Sequence, residues 1–311
     1  VLGWRAMGTS GGGEGAATDT SKRPASTAKL DAILNAAESC RRTGENGKAE
    51  AILKQAIVEH PSEQRLYILY AEVLSADARL DEAYSNYEKA LAIGPREGEV
   101  EFAAGTLANM RGRFDRAIEH YSAAQTANPS DYRVPLFLGQ VQLKMERIDE
   151  AKKSLLLSAK LKPDIPVTWG TLADIALREN KPSIALTHIA KAREIDPQAT
   201  MWRVIEARAH KREGNPEKAL TLLIGLDVNQ RREPGVLPLM AECFGMLGKP
   251  AEAAAIYTQA ADQDQARGEL AYEAALWLER AGEKEKAGPY ARRAADLQVK
   301  GAAELAARLG A

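Results

Sequence analysis

The chain has 311 residues, with 42 Lys and Arg against 43 Asp and Glu for a formal net charge of -1, so no global field draws it to nucleic acid or an anionic membrane. No stretch approaches the roughly 18 apolar residues that read as a membrane span, and two cysteines, Cys40 and Cys243, exclude a disulfide framework. The first ten residues lack the apolar run of a secretory signal, so a cytoplasmic location is expected, or a periplasmic or other one if a signal was removed ahead of Val1.

In chain order, residues 1–28 are rich in Gly, Ser, Thr and Ala, with Gly11, Gly12 and Gly13 in a row. They have almost nothing to bury and predict a flexible tail. From 29 to 301 one pattern recurs. Ala49, Ala83, Ala117, Ala151, Ala185, Ala219, Ala253 and Ala287 stand 34 residues apart. Twelve residues before each is another small residue: Ala37, Ala71, Gly105, Gly139, Ala173, Ala207, Ala241 and Ala275. A unit of that length holds two helices of three to four turns and two short turns. Small residues at one place on each helix let two backbones approach closely. In the third unit Phe102, Leu107 and Met110 mark the first helix, and Phe114, Ile118 and Tyr121 the second.

The punctuation has the same period. Pro61, Pro95, Pro129, Pro163 and Pro197 close units where a helix must stop. Pro182, Pro216 and Pro250 fall at the start of second helices, where the missing N–H is not needed. Gly44, Gly112, Gly214, Gly248 and Gly282 lie between the helices, where a C-cap favours positive φ. The units predicted are 30–63, 64–97, 98–131, 132–165, 166–199, 200–233, 234–267 and 268–301. Residues 302–311 predict a short capping helix carrying Leu305 and Leu309 over the last repeat. The expected fold is an all-α solenoid of antiparallel helix pairs, continuous from end to end because a stack has no single core to outgrow.

These residues resemble the tetratricopeptide repeat family. Its pattern runs from a large residue through Leu-Gly or Leu-Ala and a tight turn to the alanine, an aromatic four residues later, a second alanine and a closing proline. The fifth unit has Trp169, Leu172, Ala173, Ala185, Ile189, Ala192 and Pro197; the second has Tyr67, Tyr70, Ala71, Ala83, Tyr87, Ala90 and Pro95. The resemblance covers nearly nine-tenths of the chain and implies a right-handed superhelix whose first helices line a concave groove. Departures gather toward the C-terminus. Arg231, Gln265 and Val299 replace the closing proline, and Pro289 falls within about the first turn of the last unit's second helix. The last repeats are therefore expected to be irregular.

The resemblance also implies which positions face the groove: the second, fifth, ninth, twelfth and thirteenth of each unit. In units two to four these supply Ile68, Phe102, Met110, Leu136 and Leu143, with Leu69 and Phe137 adjacent. In units four to six they supply Lys144, Arg178, Arg208, Lys211 and Arg212, interrupted by Asp174. An apolar floor passing into a basic stripe suits an extended or helical partner segment with aliphatic anchors and an acidic portion. Phe102, Leu136 and Phe137 have a second reading as helix packing, since burial is the default for such side chains. The cations have one as solvated helix faces. The family's clamp for a C-terminal carboxylate uses Lys at the fifth position and Asn at the ninth. Here Leu34 and Glu38, Ile68 and Glu72, and Phe102 and Thr106 stand there, so that recognition is not expected.

Catalytic chemistry finds no foothold. His60, His120, His188 and His210 are scattered, and the two that share a repeat phase, His120 and His188, are two units apart, too far to hold one metal. Gly11, Gly12, Gly13 and Gly15 lack the Lys-Ser/Thr ending of a phosphate loop. Cys40 and Cys243 read as small buried hydrophobes. Glu283 and Glu285 alternate with Lys284 and Lys286 on a solvated helix start. The expectation is a non-catalytic protein-interaction scaffold without metal or cofactor. The alternative is a self-assembling module in which weakly capped ends or the apolar floor pair two copies.

Overall fold

The computed structural model describes residues 25–310 apart from Arg232 and Pro234, and among them every regular element is a helix. The helices divide into two units between Gly112 and Arg113. The first holds α1 (Ala25–Arg42), α2 (Asn46–Glu59), α3 (Gln64–Ala76), α4 (Leu80–Ile93) and α5 (Gly98–Met110). The second holds α6 (Phe114–Ala127), α7 (Arg133–Lys144), α8 (Ile148–Leu161), α9 (Pro166–Arg178), α10 (Pro182–Ile195), α11 (Thr200–Arg212), α12 (Pro216–Ile224) and α13 (Val228–Arg231). It continues through α14 (Val236–Met246), α15 (Pro250–Gln263), α16 (Gly268–Arg280), α17 (Lys284–Asp296) and α18 (Ala302–Leu309). Within each unit packing runs mainly between helices adjacent in sequence, and some first helices also meet the next first helix, as α1 does α3 and α9 does α11. Contacts confined to neighbours leave no network that ties all the helices together. The period predicts one continuous domain, and contacts are densest within the two units. Of the tail expected over 1–28, residues 1–24 lie outside the described residues, and α1 already begins at Ala25.

Small side chains set the spacing of the pairs. Ala49, Ala83, Ala117, Ala151, Ala185, Ala219, Ala253 and Ala287 are all 0% exposed. Their partners on the first helices, from Ala37 to Ala275, are buried as well, including Gly105 and Gly139. A Cβ added at Gly139 would lie 2.8 Å from Leu155 Cγ and 3.1 Å from the Ala151 carbonyl oxygen, so α7 and α8 meet almost backbone to backbone. Larger residues fill the flanks. In the second unit one core joins Leu155, Trp169, Leu172, Ile175, Ile189 and Trp202.

The turns repeat as faithfully as the alanines. Gly44, Gly112, Gly214, Gly248 and Gly282 have φ of 76°, 71°, 79°, 68° and 80°. The same phase in the other repeats is held by Ala78, Glu146 and Asn180 at φ 59°, 60° and 57°, positions the glycine pattern does not reveal. The motif is one of hydrogen bonds rather than residue type: Ala78 N–H donates to Ser75 O and Arg79 N–H to Leu74 O, at 3.1 and 2.9 Å. Glu146 and Arg147 repeat it on Leu143 and Gln142, which satisfies carbonyls the helix end leaves open. Closing prolines are tied back to the next first helix: Tyr67 Oη donates to Pro61 O at 3.0 Å and Trp169 Nε1 to Pro163 O at 2.7 Å.

Charges stitch the first unit. Glu50 on α2 accepts from Lys54 at 2.7 Å, from Arg79 Nη1 at 2.7 Å and from Tyr70 Oη at 2.9 Å. The Lys54 and Arg79 cations, with the Tyr70 hydroxyl, hold its carboxyl down at about 2 against burial. At the other end α18 buries Leu305 and Ala306 against the last repeat, and Arg308 pairs with Glu279 at 2.7 Å. The last repeat is therefore covered, which removes the weak capping on which end-to-end self-pairing was argued. Pro289 is displaced from its expected place: α17 starts at Lys284, so the proline lies past the first turn and the helix still runs to Asp296.

Replacing Ala185 by Leu overpacks the α9–α10 crossing and costs about 1–3 kcal/mol; denaturant unfolding at the parent's midpoint would refute the close approach. Glu146→Gly removes a side chain from a left-handed position and stabilises by about 1 kcal/mol, whereas Glu146→Ala leaves the melting temperature near the parent's. Because the folded pKa of Glu50 lies below its ordinary 4.5, its contribution is full above that pH and is lost as pH falls toward about 2. Glu50→Gln lowers the melting temperature at neutral pH and flattens its fall across that acid window; unchanged acid titration of stability would show the network to be idle.

Candidate functional site

The first helices present the residues expected to line a groove, and the two units are described separately. In the first, Phe102 on α5 is 8% exposed and Leu69 on α3 is 8% exposed. Ile68 is half-buried. Met110, at the end of α5, is 60% exposed. The surface beside them is charged. Glu38 on α1 accepts from Arg41 at 2.7 and 2.8 Å and from Arg42 at 2.8 Å. Arg41 also lies 3.5 Å from Glu72, one repeat on. Burial pushes the Glu72 carboxyl up, with Arg41 opposing and Glu38 reinforcing. The ninth positions of the first two repeats thus hold an internally compensated acid pair, which offers nothing to a carboxylate ligand.

In the second unit Leu136 on α7 is 6% exposed. Phe137 is half-buried with its ring 6.1 Å from that of Tyr121, and Leu143 packs on the core around Trp169. Phe102 and Leu136 are therefore structural, and the apolar floor reduces to half-buried edges and one methionine. The reason is register. On α7 and α9, whose small stripes are pressed against their partners, the flanking fifth position falls at the contact with the next repeat. Gly170, the same position in α9, shows how tight this is, since a Cβ there would overlap the Trp202 ring.

The basic residues fare differently. Lys144, Arg178, Arg208 and Arg212 are exposed at successive first helices α7, α9 and α11. Lys144 lies 5.4 Å over the Phe114 ring. Arg178 Nε donates to Asp174 Oδ2 at 2.9 Å, one turn back on the same helix. Arg212 Nη1 donates to the Leu177 carbonyl at 2.5 Å, tying α11 to the end of α9, where a cation also meets the negative end of the helix dipole. Lys211 is half-buried and ion-paired with Glu242 of α14, a partner the repeat pattern did not nominate. Arg208 makes no ion pair among the described residues. The face is basic, with part of its charge engaged in holding repeats together.

No group of three or more His, Cys, Asp and Glu is placed to hold a metal among the described residues, and none of their helices is long and apolar enough to cross a membrane. Both cysteines are free; Cys243 is buried while Cys40 is half-exposed rather than the core residue expected. Burial pushes the Cys243 thiol up to about 11 against the opposing charge of Lys211.

Two models of the tetratricopeptide repeat family match, one over residues 68–132 and one over 108–175. The fold is similar to that of a tetratricopeptide repeat protein from Parabacteroides merdae, with 15% identity and a TM-score of 0.61 over 80% of this chain and 99% of that one. Pseudomonas aeruginosa pilF is 23% identical, with a TM-score of 0.55 over 68% of this chain and 95% of that one. YrrB, a repeat protein with an unusual peptide-binding site, is 21% identical with a TM-score of 0.50, covering 63% and 96% of the two chains. In sequence, 139 residues are 22% identical to the Bos taurus BBSome complex member BBS4, spanning 45% of this chain and 26% of that protein.

Proposed function

Because this chain is a tetratricopeptide repeat protein, we propose that it is a non-catalytic interaction scaffold whose α7–α9–α11 face captures an acidic segment of a partner protein. The observation that carries the reading is the exposure of Lys144, Arg178, Arg208 and Arg212 on consecutive first helices. Arg178 is paired there with Asp174 of its own helix. An exposed pair such as Arg178–Asp174 is worth about 0–1 kcal/mol, so an arriving carboxylate exchanges with it at little cost. Several cations in a row supply on-rate and register more than raw affinity. The buried Phe102 and Leu136 leave aliphatic anchoring to half-buried side chains such as Leu143. Peptide binding by YrrB is carried over as part of the proposal. Free thiols at Cys40 and Cys243 suit a reducing compartment, and the reading assigns the scaffold to the cytoplasm.

The test is binding of fluorescent peptides of graded acidity to the full chain and to an Arg178→Glu, Arg208→Glu variant. Affinity should rise with glutamate content and drop at least about tenfold in the variant. It should also weaken from 0.1 to 1 M salt, as the screening length falls from about 10 Å to about 3 Å. Binding indifferent to both salt and charge reversal would sink the basic face as the site.

A further inference from the structure

The second unit departs from its period at one helix, and the departure opens a slot. The second helices α8, α10 and α15 each run 14 residues, but α12 has 9. One period after Ile195 would end α12 at Asn229; it stops instead at Ile224. Local chemistry explains the stop. Gly225 follows the last helical residue, and Asp227 Oδ1 accepts from the Asn229 and Gln230 amides at 2.8 and 2.9 Å to start the separate turn α13. Arg231, where a closing proline would stand, instead donates to the Ile224 and Leu226 carbonyls at 2.6 and 2.9 Å.

Beside this turn lie two cavities, of about 250 and 50 Å³, that share Arg231, Leu237 and Ala260 as walls and so form one slot. Its apolar lining includes Val228, Leu237, Ile256 and Leu270. Val228 is 55% exposed. The slot is also acidic: Asp264, Glu269 and Glu273 line it and make no ion pair among the described residues. Four carboxylates, Glu233, Asp264, Glu269 and Glu273, stand against two arginines, Arg231 and Arg267, so the lining is net acidic.

We propose that this slot docks a short segment of a partner protein that carries an aliphatic side chain beside lysine or arginine. The size follows from the cavities, whose volumes of about 250 and 50 Å³ suit side chains of a short segment rather than a folded domain. The sign follows from the acidic lining, which repels an acidic segment. Glu273 adds to this, because burial pushes its carboxyl up with only Arg280 opposing, and an arriving cation relieves a cost the folded chain already bears. The partner is opposite in charge to that expected at the α7–α9–α11 face, so the two sites are separable.

Panning a displayed library of peptides about a dozen residues long on the full chain tests the slot. Asp264 and Glu269 are exposed, so an Asp264→Lys, Glu269→Lys variant and a Val228→Asp variant should fold, as thermal melting will confirm. Enriched peptides are expected to pair Leu, Ile or Met with Lys or Arg. A resynthesised peptide should lose at least about tenfold in affinity to either slot variant and bind Arg178→Glu, Arg208→Glu like the parent. Recovery only of acidic peptides, of peptides indifferent to the slot variants, or of none would overturn the proposal; acidic peptides lost on Arg178 and Arg208 reversal would leave the other face standing.

Discussion

The close approach of paired helices at one small residue per helix is the constraint from which the other features follow. A fully buried alanine every 34 residues fixes the distance between two helices and also their rotation, because only one stripe on each can be pressed so close. Once that stripe faces the partner, the remaining faces have no freedom. On α7 and α9 the fifth position turns toward the next repeat, and the thirteenth, Lys144 and Arg178, turns outward. Leu136 is buried for this reason, and Arg178 and Arg212 are exposed for the same one.

Contacts limited to neighbours make irregularity cheap. The loss of regular helix after Ile224 would disrupt a globular core, yet here α14 and α15 resume the pattern within a few residues. The break is absorbed by Arg231, whose guanidinium satisfies carbonyls that further helix would have satisfied. The arginine thereby fastens the chain at the shortened helix end. The slot beside it is the by-product.

Electrostatics serve two purposes that compete. Near-equal acids and bases leave no net field, but their placement differs by unit. In the first, Glu50 and the Glu38–Arg41–Glu72 group close charge on itself. In the second, Lys211 and Arg212 bridge repeats while Arg178 and Arg208 stand outward. A cation that already bridges two helices has less to offer a ligand than one facing water, so composition of a face overstates its binding capacity.

Periodicity alone was enough to read the helix pairs, the crossing alanines, the stops at Pro61 to Pro197 and the glycine turns, since these depend on backbone sterics that each residue type carries with it. The left-handed positions of Ala78, Glu146 and Asn180 were hidden, because there the hydrogen-bond pattern of the turn overrides the residue's own preference. Side-chain fate was likewise beyond the sequence. Whether Phe102 is ligand contact or core, whether Lys211 is free or paired with Glu242, and whether a missing proline at Arg231 means a loose end or a slot all depend on what the neighbouring repeat presents. Those neighbours lie about thirty residues away, and only stacking decides which of their atoms meet.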